Sequence, residues 1–336
     1  MIKIGIIGCG YWGPNLVRNF SNIDGCIVTA LSDIKKKNMD LCSQKLTGVK
    51  KFADFRKMLK GKTVDAVVVA TNLAAHYEVA REVLNAGKDM LIEKPLTADA
   101  VEAAELVRIA AQKKVILAVG HTFLFNKGIE EIKKYISSRK LGKLLYMHAV
   151  RTNLGPIRRD TNALWDLATH DVSIFLYLVG AMPLSVSATG GAFIKKGRED
   201  VVFVTLNFPG GVIGNVYASW LEPSKVRRLT IIGDKKMLIF DDIDNIEPIR
   251  IYDKSVVKDK KYDDFGEFQL ILRDGDVTIP KIRLAEPLKN ECQAFIESLK
   301  GNNKNISDGL FGLQVVRVLE AAQKSMKNGG VSMDVK

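Results

Sequence analysis

A glycine-rich loop lies near the start of the chain, with the sequence Gly8-Cys9-Gly10-Tyr11-Trp12-Gly13. It follows a strand-like apolar run and precedes a helical pattern. In such a loop Gly8 permits the tight turn, Gly10 lets backbone approach a pyrophosphate, and Gly13 allows close packing of helix on strand. The pyrophosphate would bind at the helix N-terminus. The loop, its two aromatic residues included, therefore predicts dinucleotide binding; the alternative is a glycine turn without a ligand.

An acidic residue stands where such a site needs one. Asp33 closes the second predicted strand, 20 residues after Gly13, which is where a carboxylate binds the adenosine ribose of NAD. Its charge would repel the 2′-phosphate of NADP, although the lysines at 35, 36 and 37 could counter that repulsion. The sequence therefore favours NAD over NADP.

A lysine capable of acid–base chemistry lies in Glu93-Lys94-Pro95, at the end of a predicted parallel strand. Open α/β sheets bind ligands at that edge. Lys94 could hydrogen-bond a substrate hydroxyl or transfer a proton, because burial and nearby cations lower a lysine's pKa. A surface lysine before a turn proline is the alternative.

A carboxylate and an imidazole are spaced by four residues in Asp166-Leu167-Ala168-Thr169-His170. On a helical turn this spacing puts both on one face. Asp166 could then fix the tautomer of His170 and raise its basicity, which would make His170 a candidate general base. An N-capping aspartate near a structural histidine explains the same spacing.

The elements that carry these groups alternate in the first third of the chain. Strands are predicted over residues 2–8, 26–32, 64–71, 90–93 and 115–120, with helices over 13–21, 35–46, 77–86 and 98–112. This rhythm predicts a doubly wound parallel sheet over residues 1–121.

The pattern changes after residue 121. Helices are predicted over 127–138, 169–178, 289–299 and 309–327, and a strand over 144–151. Residues 202–208 alternate in polarity, and Gly210-Gly211 predicts a tight turn into a strand over 212–220. Asp274-Gly275 predicts a second such turn. Residues 122–336 are therefore expected to form an α+β domain around a large, open, mainly antiparallel sheet.

The composition describes a globular chain: of 336 residues, 47% are hydrophobic and 26% charged. The net charge of +12 is spread out, with 18 Lys and Arg against 12 Asp and Glu in residues 1–121, and 32 against 26 thereafter. This spread argues against a nucleic-acid partner. The four cysteines lack metal-site spacing and predict free thiols. With no bilayer-length apolar run and no signal-peptide pattern, we expect no metal, no membrane partner and a cytoplasmic location.

Taken together, these motifs resemble the Gfo/Idh/MocA oxidoreductases. The resemblance rests on Gly8–Gly13, Asp33, Thr71-Asn72 with His76, Glu93-Lys94-Pro95, and Asp166 with His170. It implies a Rossmann domain, bound NAD, and hydride transfer to or from a sugar or cyclitol, with Lys94, Asp166 and His170 as the catalytic set. It also implies that Thr71, Asn72, His76, Glu93 and Lys94 line the cofactor site, and that the open sheet of the second domain makes a homodimer or homotetramer.

A narrower resemblance is to the branch that acts on UDP-N-acetylhexosamines. It is carried by the glycine loop, by residues 119–126 and 153–160, and by Leu164-Trp165-Asp166-Leu167-Ala168. It implies oxidation of the C3 hydroxyl of UDP-GlcNAc or its uronic acid for surface-glycan synthesis, with Trp165 at the substrate. Thr169 and Asn72 replace prolines frequent in the branch.

Three functions follow as hypotheses. In the first, His170 removes the hydroxyl proton, Lys94 holds the oxygen, and Arg158 and Arg159 bind the diphosphate of a nucleotide sugar, since guanidinium matches phosphate geometry; a solvated loop explains the arginine pair equally well. The second is a dehydrogenase of an unlinked sugar or inositol. The third is an NAD(P)-binding regulator without turnover, which would not need the acid–base set.

Overall fold

The computed structural model of the chain describes residues 1–158, 160–258, 270–302 and 305–335. The chain forms two compact units. The first comprises Met1–Asn126 and Ala285–Glu320, and the second comprises Lys127–Leu284 and Ala321–Lys336.

The first unit contains a six-stranded parallel sheet. Its strands are β1 (Ile2–Ile7), β2 (Cys26–Ser32), β3 (Lys50–Phe52), β4 (Ala66–Val69), β5 (Asp89–Glu93) and β6 (Leu117–Gly120), in the order β3-β2-β1-β4-β5-β6. The connecting helices are α1 (Gly13–Ser21), α2 (Lys36–Cys42), α3 (Phe55–Leu59), α4 (Leu73–Asn85) and α5 (Ala100–Lys113). The predicted doubly wound sheet is therefore confirmed.

The burial of these strands explains why they could be predicted from the sequence. All four residues of β4 are buried, as are Ile4, Ile6 and Ile7 of β1, because helices cover a parallel sheet on both faces. β3 and α3 were not predicted, since their three and five residues are too few to show a period.

The strand order decides where the glycine loop lies. The chain reverses direction across the sheet between β1 and β4, and ligands bind at the carboxyl ends of strands beside such a reversal. The glycine loop follows β1, Thr71 follows β4 and Lys94 follows β5.

The second unit is built on a nine-stranded mixed sheet. Its strands are β7 (Leu144–Leu154), β8 (Ser185–Gly191), β9 (Val201–Asn207), β10 (Ile213–Ser219), β11 (Leu221–Gly233), β12 (Met237–Asp241), β13 (Ile249–Lys258), β14 (Leu270–Thr278) and β15 (Met333–Asp334). The order is β14-β13-β12-β11-β7-β10-β9-β8-β15. β7 and β10 pair in parallel, and the other neighbours pair antiparallel. Helices α6 (Lys127–Ser137) and α7 (Thr169–Val179) belong to this unit.

One of the two predicted tight turns is confirmed and the other is wrong. Gly210 and Gly211 both have positive φ, 76° and 80°, and connect β9 to β10. Asp274 and Gly275 instead lie inside β14, paired with β13. Because β14 is a sheet-edge strand with exposed side chains, polar residues and glycine are tolerated there.

Helices α8 (Pro287–Leu299) and α9 (Gly309–Lys327) follow the second sheet in the chain. The prediction placed every residue after 121 in the second domain, but residues 285–320 group with the first unit. The reason is the apolar face of α8, where Cys292, Phe295 and Ile296 are fully buried in one core with β1 and α1. Among the described residues, no helix is long and apolar enough to cross a membrane.

Candidate active site

The glycine loop has the geometry that a bound pyrophosphate requires. Gly8 has a φ of 94°, and a Cβ there would collide with the backbone carbonyl of Ala70. A Cβ on Gly13 would lie 3.0 Å from the carbonyl oxygen of Gly8. A Cβ on Gly10 would meet no atom within 4 Å. Gly8 and Gly13 are therefore required by the fold, whereas Gly10 leaves open space at the start of α1.

Asp33 is held rigidly beside this loop. Its Oδ2 accepts a hydrogen bond of 2.8 Å from the backbone N–H of Cys9, and its Oδ1 accepts one of 2.7 Å from that of Lys35. The amide of Asn38, which the sequence analysis did not single out, lies 3.2 Å from both oxygens. The carboxylate of Asp33 is thus held in place by the two backbone N–H groups and the Asn38 amide.

Hydrogen bonds of the His76 ring join the segment after β4 to the segment after β5. Nδ1 of the buried His76 lies 2.9 Å from the carbonyl oxygen of Pro95, and Nε2 lies 3.3 Å from that of Thr71. Burial lowers the pKa of His76, so the ring is neutral and acts as a brace. Asn72 caps α4 by accepting a hydrogen bond of 3.2 Å from the N–H of Ala75.

These residues fit a dinucleotide. The hydroxyl of Thr71 is a buried polar atom without a hydrogen-bond partner, and the exposed Gly10, Tyr11 and Trp12 border the open space at the helix start. Thr71 could therefore donate to bound NAD, and the N-terminus of α1 could hold its pyrophosphate.

Lys94 follows β5, directly after a carboxylate with an unusual pKa. Glu93 pairs in register with Gly120 of β6, and its Oε2 lies 3.3 Å from where a Gly120 Cβ would stand. Burial raises the pKa of Glu93 to about 7, although the charge and the backbone N–H of Lys94 act in the opposite direction. Glu93 therefore gains its charge near neutral pH, next to Lys94.

A second buried carboxyl group near Glu93 was missed in the sequence. Glu291 of α8 is 1% exposed, its Oε2 accepts a hydrogen bond of 3.1 Å from the hydroxyl of Thr122, and its Oε1 has no partner. Burial and the negative charge of Glu93 both raise its pKa. The available signal was an acidic residue on the apolar stripe that includes Leu288 and Phe295.

His121 is a neutral member of the same neighbourhood. Its ring is 1% exposed, both of its nitrogens lack partners, and it makes an edge-to-face contact with Phe311. Burial, and secondarily the charge of Lys94, lower its pKa to about 3. His121 is therefore a structural histidine that carries no charge.

In the second unit, Asp166 and His170 lie on either side of a junction between two helical forms. Asp166 belongs to a π-helical turn, Leu164–Ala168, and His170 is the second residue of α7. Both side chains are half-buried. Single π-turns of this kind are frequent at functional sites.

Trp165 belongs to a hydrogen-bond network that holds this turn in place. Its indole N–H donates to Oε1 of Gln323 at 3.2 Å, and its backbone N–H donates to Oδ1 of Asn162 at 3.2 Å. Asn162 in turn donates to Gln323 at 2.8 Å and to Glu199 at 2.5 Å. With Trp165 only 8% exposed, the indole supports the turn that carries Asp166.

Arg158 is paired with carboxylates. Its Nε and Nη2 donate to Asp160 at 3.1 and 2.9 Å, and its Nη1 lies 4.0 Å from Oδ1 of Asp166. The hydrogen bond to Asp160 is the main cause that raises its pKa. Arg159, the other predicted diphosphate ligand, lies outside the described residues.

Comparison with known proteins assigns both halves of the chain to one family. Residues 2–121 match the model described as "Oxidoreductase family, NAD-binding Rossmann fold", and residues 129–239 match the "GFO/IDH/MocA C-terminal domain". The N-terminal match lies within the unit that carries the glycine loop, Asp33 and Lys94.

Several relatives match along nearly their whole length. The UDP-N-acetylglucosamine 3-dehydrogenase of Acidithiobacillus ferrooxidans is 26% identical over 94% of this chain and 94% of that protein. The myo-inositol 2-dehydrogenase of Thermotoga maritima is 24% identical over 97% and 96%. The WlbA dehydrogenase of Bordetella pertussis, solved with NADH and UDP-GlcNAcA, has the same fold, with a TM-score of 0.82 and 22% identity over 100% and 99% of the two chains. This chain therefore belongs to the Gfo/Idh/MocA family and is an NAD-dependent oxidoreductase.

Proposed function

We propose that this enzyme oxidises a hydroxyl group of a nucleotide-linked sugar, at C3 of a UDP-N-acetylhexosamine or of its uronic acid, for the synthesis of surface glycans. The observation that carries the proposal is that the chain has a complete acid–base set: Lys94 follows β5 of the first unit, Asp166 lies in the π-helical turn before α7, and His170 is the second residue of α7.

The proposed reaction needs each of these groups in one role. His170 takes the proton of the hydroxyl group. Asp166 orients the imidazole ring and stabilises the positive charge that the ring then carries. Lys94 holds the hydroxyl oxygen and stabilises the negative charge that develops on it. Bound NAD⁺ would supply the hydride acceptor, so that the overall reaction of an alcohol and NAD⁺ would give a ketone, NADH and a proton.

The nucleotide-sugar assignment is supported by two relatives, and it requires that Arg158 bind the diphosphate. The Acidithiobacillus protein is named for UDP-N-acetylglucosamine, and the Bordetella structure contains its uronic acid derivative. The guanidinium of Arg158 is 41% exposed and adjoins Asp166, where it could bind a diphosphate once Asp160 releases it.

A second substrate class is favoured by the same arginine. In this structure Asp160 accepts from both Nε and Nη2 of Arg158, which leaves less of the guanidinium for a phosphate. An unlinked sugar or inositol needs no such ligand, and the inositol dehydrogenase of Thermotoga is a full-length relative.

The test is NADH formation from NAD⁺ with UDP-GlcNAc, its uronic acid, free GlcNAc, glucose and myo-inositol, with Lys94→Ala as the background control. Turnover of a UDP-sugar at least tenfold above every unlinked compound supports the proposal. Turnover of the unlinked compounds alone selects the second class. NAD binding without turnover on the whole panel indicates the non-catalytic regulator.

We also propose that the enzyme self-associates through the open face of the nine-stranded sheet. Tyr146, Phe203 and Ile213 are 46%, 49% and 46% exposed there, and Phe203 stacks on Tyr217 across strands at 4.8 Å. Exposed apolar patches of this kind mark protein interfaces. Analytical ultracentrifugation should show a dimer or tetramer that Phe203→Asp converts to monomer; a wild-type monomer contradicts the proposal.

A further inference from the structure

The side chain of Asn38 contacts both oxygens of the Asp33 carboxylate. Its Nδ2 lies 3.2 Å from Oδ1 and 3.2 Å from Oδ2. An ionised carboxylate only accepts hydrogen bonds, so the NH₂ end of the amide must face it. Asn38 therefore donates to both oxygens, whereas the backbone N–H groups of Cys9 and Lys35 each donate to one.

The first turn of α2 places Asn38 in this position. Asn38 is the third residue of α2, and its backbone N–H donates to the carbonyl oxygen of Lys35 at 3.0 Å. Its side chain is half-buried and returns to Asp33, five residues earlier in the chain. Asparagine is a weaker helix former than alanine or lysine, so helix propensity does not favour it here. What this residue type supplies is a short, uncharged donor.

All the groups that donate to Asp33 are uncharged. Two are backbone N–H groups, and the third is the Asn38 amide. A lysine or arginine in the place of Asn38 would form a charge-assisted pair with the carboxylate and cancel most of its charge. The neutral amide holds the carboxylate and leaves that charge in place. In a dinucleotide site a carboxylate at this strand end binds the ribose of NAD, whereas a nearby arginine accommodates the 2′-phosphate of NADP.

The lysines that follow Asp33 do not alter this arrangement. Residues 35–37 are exposed, so water and salt screen their charges. The donor that Lys35 provides to Asp33 is its backbone N–H and not its ammonium group. The ammonium group of Lys36 lies 4.0 Å from Asp40 on a side chain that is 87% exposed.

We propose that Asn38 is a positioning residue that sets the preference of this enzyme for NAD over NADP. It acts through Asp33, because it holds the carboxylate in one orientation without cancelling the charge that repels a 2′-phosphate. Asn38 itself is not proposed to contact the cofactor. The inference concerns cofactor binding alone, so it is independent of the proposed sugar substrate and of the outcome of the substrate panel.

The test measures the Kd of the full chain for NAD and for NADP by fluorescence titration, with no sugar present. Asn38→Leu keeps the size of the side chain and removes its N–H groups. The freed carboxylate binds the ribose less well and can turn away from a 2′-phosphate. We therefore expect the ratio of the NADP Kd to the NAD Kd to fall about fivefold. An unchanged ratio overturns the inference.

Asn38→Arg is a second, independent variant. It places a cation beside Asp33, which should cancel the charge of the carboxylate and offer a ligand to the 2′-phosphate. We expect the same ratio to fall at least about tenfold, mainly through tighter NADP binding. This variant keeps the test usable if Asn38→Leu does not fold. NADP binding no tighter than that of the wild type contradicts the proposal.

A double variant shows whether Asn38 acts through Asp33. In the Asp33→Asn background, Asn38→Leu should change neither Kd more than about twofold, because the group through which Asn38 acts has been removed. A purely structural contribution of Asn38 to α2 would persist in that background. A fall of the ratio as large as in the single variant would therefore overturn the inference.

Asn22→Leu is the matched control. Asn22 is an exposed residue at the end of α1, and its Nδ2 donates to the carbonyl oxygen of Arg18 at 2.8 Å. Removing this amide should leave both Kd values unchanged. An equal fall of the ratio in Asn22→Leu would show that the loss of any amide from this unit changes cofactor preference, and would remove the specific role of Asn38.

Discussion

The hydroxyl of Thr122 donates a hydrogen bond of 3.1 Å to Oε2 of Glu291, a carboxyl group that is 1% exposed. The two residues are 169 positions apart in the chain and meet because α8 returns to the first unit. Burial and the charge of Glu93 raise the pKa of Glu291 well above its ordinary value of 4.5. In the folded protein this carboxyl group therefore retains its proton at pH values where an unfolded chain loses it.

Glu291→Gln should change the pH dependence of stability. The raised pKa means that the wild-type free energy of unfolding falls as the pH rises above about 4.5, because the unfolded state then releases a proton that the folded state keeps. The variant lacks this group, so its stability relative to wild type should be higher at about pH 8 than at about pH 4.5. Urea unfolding at both pH values measures it.

Glu297→Gln, on the same helix, is the matched control. Hydrogen bonds from Asn302 and Lys300 lower the pKa of Glu297, so its contribution is present above its ordinary pKa and lost as the pH falls. Its variant should lose stability relative to wild type as the pH rises, the opposite trend. Equal trends in the two variants would contradict the assignment of a proton to Glu291.

Glu93→Gln should remove one limb of the pH–rate profile. Glu93 has a pKa of about 7, so its negative charge next to Lys94 is lost as the pH falls through 7. We expect the wild-type kcat/KM to have an acid limb near this value that the variant lacks. Steady-state rates across the pH range check it, and an unchanged limb in the variant would assign it to another group.

Gly10→Ala should weaken NAD binding without lowering the stability of the fold. A Cβ at Gly10 meets nothing within 4 Å, so the melting temperature should stay within about 2 °C of wild type. The added methyl group would occupy the space of the pyrophosphate, and the Kd for NAD should rise at least about tenfold. Gly8→Ala, with its positive φ and the collision with Ala70, should lower the melting temperature as well. Unchanged NAD affinity in Gly10→Ala would place the pyrophosphate elsewhere.

Asp33→Asn should shift the cofactor preference towards NADP. Its carboxylate is fixed by the N–H groups of Cys9 and Lys35, and removing the charge removes the repulsion of a 2′-phosphate next to three lysines. We expect the ratio of NAD to NADP affinity to fall at least about tenfold, measured by fluorescence titration. Asp40→Asn removes an exposed carboxylate of α2 and should leave the ratio unchanged. A shift of similar size in Asp40→Asn would show that any lost surface carboxylate changes the cofactor preference, and would contradict the specific role of Asp33.

His170→Asn should reduce kcat by about 10²- to 10⁴-fold, the usual loss on removing a general base, with little effect on the Kd for NAD. His148→Asn is the control, since that ring lies in β7 with Asn215 as its partner and has no proposed part in the reaction. Comparable losses in both variants would remove His170 from the proposed mechanism.

The strand ends that carry the proposed cofactor residues could be predicted because these residues are local in sequence. The glycine loop, Asp33 and Lys94 each follow a strand end, and parallel strands bring their carboxyl ends to one edge. The hydrogen-bond partners that hold these residues in place could not be predicted in this way. Asn38 on Asp33 and the carbonyl partners of His76 depend on the path of loops that no period in the sequence encodes.

The second unit was harder to predict for a related reason. Its β9–β10 hairpin followed from alternation and a Gly-Gly turn, but Asp274-Gly275 has the same signal and lies in a strand, since pairing with β13 outweighs a local turn preference. The spacing of Asp166 and His170 was visible, whereas the π-helical turn and the Trp165–Gln323 contact that anchors it require a helix about 160 residues away.

By itself, the sequence determined the alternation of the parallel sheet and the places of the glycine loop, of Asp33 and of the proposed acid–base residues in the chain, because each depends on neighbours along the chain. Only the tertiary structure decided that residues 285–320 group with the first unit, that Glu291 is buried where the charge of Glu93 raises its pKa, and that Arg151 donates two hydrogen bonds to the buried carboxylate of Asp171. These depend on burial and on charges brought together from distant segments. That is why the pKa values of Glu93 and Glu291 could be assigned a direction only once the chain was folded.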